Sequence, residues 1–232
     1  MRMVTLSIPV ALALCVGAAQ LSAQQPGNGA FQWYVGGHGG IMNFETFNGH
    51  QTKPLGGAQL LVTARRTGLL LSVDQTFGSS EGSIYNFTVL DSVGTVTSSQ
   101  DILQTFSYLR KYSATLMAFP IKGPITPFVG IGVGVIHAGG FTPSGDSDAQ
   151  EIGSSGFGSL IGGLNFRVSR FSAFGQYQVT TGPAFQAISR PGPDKSTFIS
   201  SGNLFTGATH TFSAGLRFGL GNAKERASGG GY

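Results

Sequence analysis

Cysteine and charge are what this chain has least of. The single cysteine, Cys15, lies in an apolar stretch near the N-terminus. Once that stretch is removed no disulfide can brace the mature protein, even in an oxidising compartment. Charged residues make up 10% of the sequence, against roughly 25% in soluble domains. The net charge of +4 is small, and no basic run with interleaved aromatics occurs, so nucleic-acid binding is excluded. Past the N-terminal stretch no apolar run reaches the ~20 residues of a spanning helix. Glycine is abundant instead, with 37 residues and no collagen-like triplet period. The chain is apolar enough for a membrane, yet it is not built of membrane helices.

The N-terminus supplies the compartment. Met1-Arg2-Met3 is a short basic start, Val4 to Ala19 is apolar, and Leu21-Ser22-Ala23 offers a small-residue cleavage site. These are the parts of a secretory signal, expected over residues 1–23, with 24–30 as a linker. Leu14 stands before Cys15 where a lipoprotein signal wants a small residue, so Cys15 reads as part of the apolar run.

Along the mature chain the recurring period is two. Val129, Ile131, Val133 and Val135 alternate with Gly130, Gly132 and Gly134, and Phe212, Ala214, Leu216 and Phe218 alternate with Thr211, Ser213, Gly215 and Arg217. A helix with that glycine content would lose about 1 kcal/mol per glycine relative to alanine. A strand with a large face and a small face fits better. The same reading sets Leu69, Leu71, Val73 and Phe77 against Leu70, Ser72, Asp74 and Thr76, and Trp33, Val35 and Ile41 against Gln32 and His38. For residues 103–118 it places Phe106, Tyr108, Ala114 and Leu116 outward, with Thr105, Ser107, Lys111 and Thr115 inward.

Eight strands are expected, at 31–44, 55–65, 68–78, 103–118, 126–138, 153–168, 171–181 and 208–220. Short turns at 65–67, 119–125 and 168–170 alternate with long polar loops at 45–54, 79–102, 139–152 and 182–207. Sorting of loop length by rim is a property of outer-membrane barrels. In hydrocarbon every backbone polar group needs an internal partner, so a sheet crosses only by closing on itself. The expected fold is therefore all-β: an eight-stranded antiparallel up-and-down transmembrane β-barrel over 31–220, with a short tail at 221–232. Eight strands leave a bore that side chains fill. Asp74, Lys111, Asn165, Arg167, Gln176, Gln178 and Arg217 are its candidate lining, with Asp74 and Lys111 an ion pair on neighbouring strands. The inward glycines at 130, 132 and 134 are expected to make room for Arg167, Gln176 and Arg217 opposite.

Aromatics fall at two levels. Phe44, Phe77, Phe106, Tyr108, Phe141 and Phe157 lie toward the long loops, and Phe31, Trp33, Phe119, Phe166, Phe171 and Phe218 toward the short turns. Girdles of this kind mark the two membrane interfaces. The stretch Thr126-Pro127-Phe128-Val129-Gly130-Ile131-Gly132-Val133-Gly134 and the closing strand Phe212-Ser213-Ala214-Gly215-Leu216-Arg217-Phe218 resemble the OmpA-like and OmpW-like small outer-membrane β-barrel families. The resemblance covers 31–220. It implies location in the bacterial outer membrane, contact with outer-membrane lipids and lipopolysaccharide, and handling by the barrel-assembly machinery. Members of these families end on an aromatic of the last strand, whereas this chain continues from Gly219 to Tyr232. That tail is too short for a peptidoglycan-binding domain.

Signs of chemistry are weak. Gly78-Ser79-Ser80-Glu81-Gly82 matches G-x-S-x-G, but the motif requires a strand-to-helix elbow and no helical period follows. His38, His50, His137 and His210 are scattered, with no adjacent acid in sequence to orient an imidazole. Asp146, Asp148 and Glu151 lack the spacing of a calcium loop. No enzymatic activity, metal or cofactor is expected. The expected role is structural or surface-interacting, with surface-loop partners unspecified. A narrow OmpW-like channel for small or apolar solutes is the alternative, and a soluble lipocalin-like binder is a third class.

Overall fold

The computed structural model describes residues 31–46, 49–78, 80–121, 123–141, 153–182 and 186–223. The expected signal at 1–23, the linker at 24–30, the tail from 224 and the acidic positions 146, 148 and 151 lie outside the described residues. Twelve strands and one 3-10 turn, Pro193–Lys195, make up the fold, with no α-helix among the described residues. Eight strands form the ring: β1 (Phe31–Thr46), β2 (Gly49–Ala64), β3 (Thr67–Thr76), β6 (Tyr108–Ala118), β7 (Ile125–Gly139), β8 (Ser154–Val168), β9 (Phe171–Thr180) and β12 (Thr209–Ala223). They close in the order β1-β12-β9-β8-β7-β6-β3-β2, every pair antiparallel. The first and last ring strands seal the seam, from Phe31 opposite Ala223 to Asn43 opposite His210. No ring strand keeps a free edge.

The alternation read from sequence sorts the two faces. On β7, Ile131 and Val133 are 63% and 67% exposed while Phe128 and Ile136 are buried. On β12, Phe212 and Leu216 face out while Thr211, Ser213 and Arg217 are buried. An apolar surface this continuous is an interaction surface, and around a ring with no unpaired backbone the partner it fits is hydrocarbon. Along β1 the outward face runs apolar from Trp33 to Ile41 and turns polar at Asn43, which hydrogen-bonds Thr52 at 3.1 Å. From Trp33 to Asn43 the strand rises about 33 Å, or about 25 Å along the axis at a tilt of ~40°. That matches the height of an outer-membrane apolar band.

Two features depart from the sequence expectation. First, the segments read as loops at 79–102 and 182–207 contain strands β4 (Ser80–Leu90), β5 (Val96–Phe106), β10 (Gln186–Pro191) and β11 (Thr197–Gly202). These form a separate four-stranded sheet, β10-β11-β4-β5. The 45–54 loop is likewise mostly paired, with β1 and β2 continuing in register to Thr46 opposite Gly49. Second, the strand expected at 103–118 is two strands broken at Ser107. Ile102, Gln104 and Phe106 are buried on one side of the break and Leu109, Lys111, Ser113 and Thr115 on the other. Residues of even and odd number therefore exchange faces there, and Phe106 points inward while Ser107 is exposed.

The girdle expectation is corrected in the same way. Phe77, Phe31, Trp33, Phe166, Phe171 and Phe218 do face outward, but Phe44, Phe106, Phe119 and Phe157 are buried inside the structure. They fill the bore rather than mark an interface.

Two substitutions test which solvent the outer face meets. Val133→Arg, on that face, is expected to lower folding stability by about 2–4 kcal/mol in lipid if it sits near the bilayer midplane. Val93→Arg, in the exposed turn between β4 and β5, is expected to stay within about 0.5 kcal/mol. Urea titration of the protein folded into phosphatidylcholine vesicles measures both; equal effects would contradict the assignment of the face.

Candidate functional site

The interior is layered, apolar at both ends and polar between. Asp74 on β3 and Lys111 on β6 are directly opposed, with Lys111 Nζ 3.4 Å from Asp74 Oδ2. Lys111 Nζ also donates to Gln178 Oε1 at 2.6 Å and to Thr211 Oγ1 at 3.2 Å. Gln178 and Thr211 stand on β9 and β12, on the far side of the ring from β6. One ammonium thus bridges the bore wall to wall. The other carboxylate oxygen, Asp74 Oδ1, meets His38 Nε2 at 2.5 Å.

His38 and Asp74 are on β1 and β3, with β2 between them. They meet because the residue of β2 at their level is Gly57. A Cβ at Gly57 would lie 2.6 Å from both Asp74 Oδ1 and His38 Nε2. Arg217 on β12 reaches Gln59 on β2 by the same device, passing over Gly36 of β1, with Nη2 3.2 Å from Gln59 Oε1. Its guanidinium carbon lies 3.8 Å from the ring centre of Phe174. Nη1 approaches Asn165 Oδ1 at 3.4 Å, and that oxygen also accepts from the Ser172 hydroxyl. Aromatic stacking and amide oxygens thus take the place of a carboxylate beside this cation, since no described acid lies within ion-pair distance of Arg217.

Of the expected lining residues, Asp74, Lys111, Asn165, Gln178 and Arg217 are buried within the bore and Gln176 is half-buried on its wall. Arg167 is not in the bore. It is exposed at the short-turn rim, its guanidinium 5.3 Å from the Tyr34 ring centre. The glycines of β7 do not serve Arg167, Gln176 or Arg217 either. The ring edge of Phe157 lies over Gly134, and Thr115 and Ser159 crowd Gly132. The space is taken by the adjacent strands, not by the opposite wall.

Apolar layers close both ends. Tyr34, Leu61, Leu70, Met117, Phe119, Phe128 and Ile161 pack together on the short-turn side. On the long-hairpin side Met42, Phe44, Leu55, Phe106, Leu109, Ile136 and Phe157 pack around Leu204 and Phe205, which come from the β11–β12 connection. Phe44 and Phe205 have ring centres 5.2 Å apart, and the Thr206 amide donates to the Glu45 carbonyl at 3.0 Å. This connection is a stopper tied to the rim. Beyond it, the β4–β5 and β10–β11 hairpins rise from ring strands on opposite walls and pair through β11 and β4. Tyr85, Phe87, Ile102 and Phe198 form that sheet's own apolar cluster.

Sequence reading missed the His38–Asp74 contact, because no acid neighbours His38 along the chain. The pair offers hydrolytic chemistry little: His38 Nδ1 has no partner, and the side chain is sealed from solvent. Ser80 begins strand β4 rather than a helix, so the G-x-S-x-G match forms no elbow. No cluster of three or more metal-binding side chains occurs among the described residues.

Removing Asp74 leaves a buried ammonium uncompensated, so Asp74→Ala is expected to cost about 3–5 kcal/mol. Adding Lys111→Met is expected to recover most of that loss, and urea unfolding in detergent compares the two. Gly57→Ala, which drives a methyl between His38 and Asp74, is expected to cost about 1–3 kcal/mol by overpacking; a variant as stable as the parent would contradict the contact.

No protein-family model matches the sequence, and a search of curated proteins finds no match. Among solved structures, the chain is similar to Neisserial surface protein A at 10% identity and TM-score 0.49, over 80% of this chain and 96% of that one. It is similar to the attachment invasion locus protein Ail of Yersinia pestis, solved with the heparin analogue sucrose octasulfate, at 14% identity and TM-score 0.41, over 83% and 100%. It is also similar to the outer membrane protein OprG of Pseudomonas aeruginosa at 12% identity and TM-score 0.43, over 85% and 99%. Likeness at this level concerns the fold alone.

Proposed function

We propose that this chain is a non-enzymatic barrel of the bacterial outer membrane whose role is structural or surface-interacting, not conductive. The observation that carries the reading is the Lys111 bridge from Asp74 across to Gln178 and Thr211. An ion or solute on the axis would have to displace a buried, hydrogen-bonded charge, and breaking such a pair costs several kcal/mol. The Leu204–Phe205 stopper and the Phe119–Phe128 layer add apolar barriers on either side. A narrow channel would need all three to give way.

The soluble lipocalin-like reading has the faces reversed. A water-soluble binder keeps polar groups outside and an apolar cavity within. Here Leu116, Val133 and Leu216 are outside while Lys111 and Arg217 are inside. Contacts with outer-membrane lipids, lipopolysaccharide and the barrel-assembly machinery belong to the same proposal. In it the barrel is a rigid post, and the four-stranded sheet is the part presented to the surroundings.

In planar bilayers the protein is expected to give no discrete conductance steps. A variant with Leu204→Gly and Phe205→Gly is expected to stay closed as well, because the Lys111 bridge lies beneath the stopper. Reproducible unitary steps from the unaltered protein would overturn the proposal.

A further inference from the structure

The four-stranded sheet ends in two edges of different character. Strand β10 closes one side. It is six residues long, carries Pro191, which has no N–H to offer, and leads into the Pro193–Lys195 turn. At its ring end the Gln186 amide donates to the Ser154 carbonyl at 2.7 Å. Strand β5 closes the other side. Its eleven residues include no proline, lysine or arginine, and it pairs with β4 on one edge and with no described strand on the other. Its pairing to β4 is regular from Ser98 to Gln104, and Val96 to Asp101 are all exposed. Proteins blunt a sheet edge with short strands, proline, bulges or basic side chains. Such devices guard β10 and leave β5 open.

The side chains of β5 say what fits that edge. Odd-numbered residues lie on the polar face, where Ser99 Oγ and Asp101 Oδ1 accept from Asn86 Nδ2 at 3.1 and 3.2 Å. The second Asp101 oxygen has no partner among the described residues. Even-numbered residues lie on the apolar face, where Ile102 joins Tyr85, Phe87 and Phe198 while Val96 stays 57% exposed. Two copies of this edge can pair antiparallel about a two-fold axis at Ser99, an isologous contact. Val96 then falls opposite Ile102 of the second copy, Thr97 opposite Asp101, and Ser99 opposite Ser99. The apolar cluster is extended, and a hydroxyl donor meets the second carboxylate oxygen. Moving the axis one residue either way sets Val96 against a glutamine, Gln100 or Gln104. With the axis at Ser99 the two Asp101 carboxylates stand four residues apart, about 14 Å, beyond the screening length of ~8 Å in physiological salt.

We propose that β5 is a homophilic docking edge, through which two copies of this chain join their four-stranded sheets into one of eight strands. Strand β5 runs from the hairpin tip to the ring. The two rings therefore stand at opposite ends of the shared sheet, with the Phe106 residues about 48 Å apart along the strands. That arrangement suits copies anchored in facing membranes rather than neighbours in one. The paired stretch is short, so a single contact is weak. Arrays of copies on two surfaces strengthen it through multivalency. The inference rests on the outer-membrane reading above and names the partner of the sheet presented there.

The first test uses the mature chain, which holds no cysteine once residues 1–23 are removed. Directly opposed residues have Cα atoms about 4.5–5.5 Å apart, within the range of roughly 4.4–6.8 Å for a disulfide. In detergent micelles under mild oxidation, Ser99→Cys is expected to give a disulfide-linked dimer and Ser189→Cys, on β10, to stay monomeric. Failure of Ser99→Cys to link, or equal linking of both, would overturn the edge assignment. The second test follows light scattering of phosphatidylcholine vesicles that carry the protein, which are expected to cluster. Thr97→Asp, which sets an acid opposite Asp101, is expected to slow clustering about tenfold, and adding Asp101→Lys is expected to restore it. Clustering that ignores Thr97→Asp, or that the second substitution does not recover, would overturn the register. Linking in micelles without vesicle clustering would overturn the facing-membrane arrangement. A protein that does not enter vesicles at all would overturn the membrane reading itself, an outcome distinct from insertion without clustering.

Discussion

The governing constraint is the width of an eight-stranded ring. Its bore is only wide enough for side chains to fill, so inward positions compete for one volume. Glycine settles the competition locally. Where a strand offers no side chain, residues on its two neighbours meet across it, as His38 and Asp74 do over Gly57 and Arg217 and Gln59 do over Gly36. The polar network is thus a consequence of where the inward glycines fall. Elsewhere the same device builds the apolar layers, with Phe157 lying over Gly134 and Phe128 reaching toward Gly163.

Burying ionic groups in this way is costly unless each finds partners. Asp74 is satisfied on both oxygens, by His38 and by Lys111. Lys111 is shared among three residues on three strands. Arg217 has amide oxygens and the Phe174 face in place of a carboxylate. Because these contacts join distant parts of the ring, they fix its cross-section as well as fill it. Sealing the ends with Phe119, Phe128, Leu204 and Phe205 keeps bulk water from weakening them.

Much of the ring was legible because alternation is a local property. Ile131 against Gly132, or Phe212 against Ser213, can be assigned to faces without knowing any partner strand. Asp74 opposite Lys111 was within reach for a related reason: consecutive ring strands pair as neighbours, and only register had to be guessed. Lys111 to Gln178 was beyond reach, since that contact crosses the bore and exists only after closure. Arg167 shows the limit of alternation. Its position in the period is inward, but it lies near the end of β8, where the wall stops and water begins. The four-stranded sheet was missed although Tyr85, Phe87 and Val89 alternate. The many Ser, Thr and Gly residues around them look like loop, and the pairing of β4 with β11 spans roughly half the chain.

That pairing also has a mechanical consequence. The β4–β5 hairpin extends from β3 and β6, and the β10–β11 hairpin from β9 and β12, which stand across the ring from one another. The hydrogen bonds between β11 and β4 therefore tie those two walls together outside the ring as well as through it. Beyond the stopper the sheet acts as a strut, resisting the splaying of a rim whose strands would otherwise be held only by their lateral neighbours.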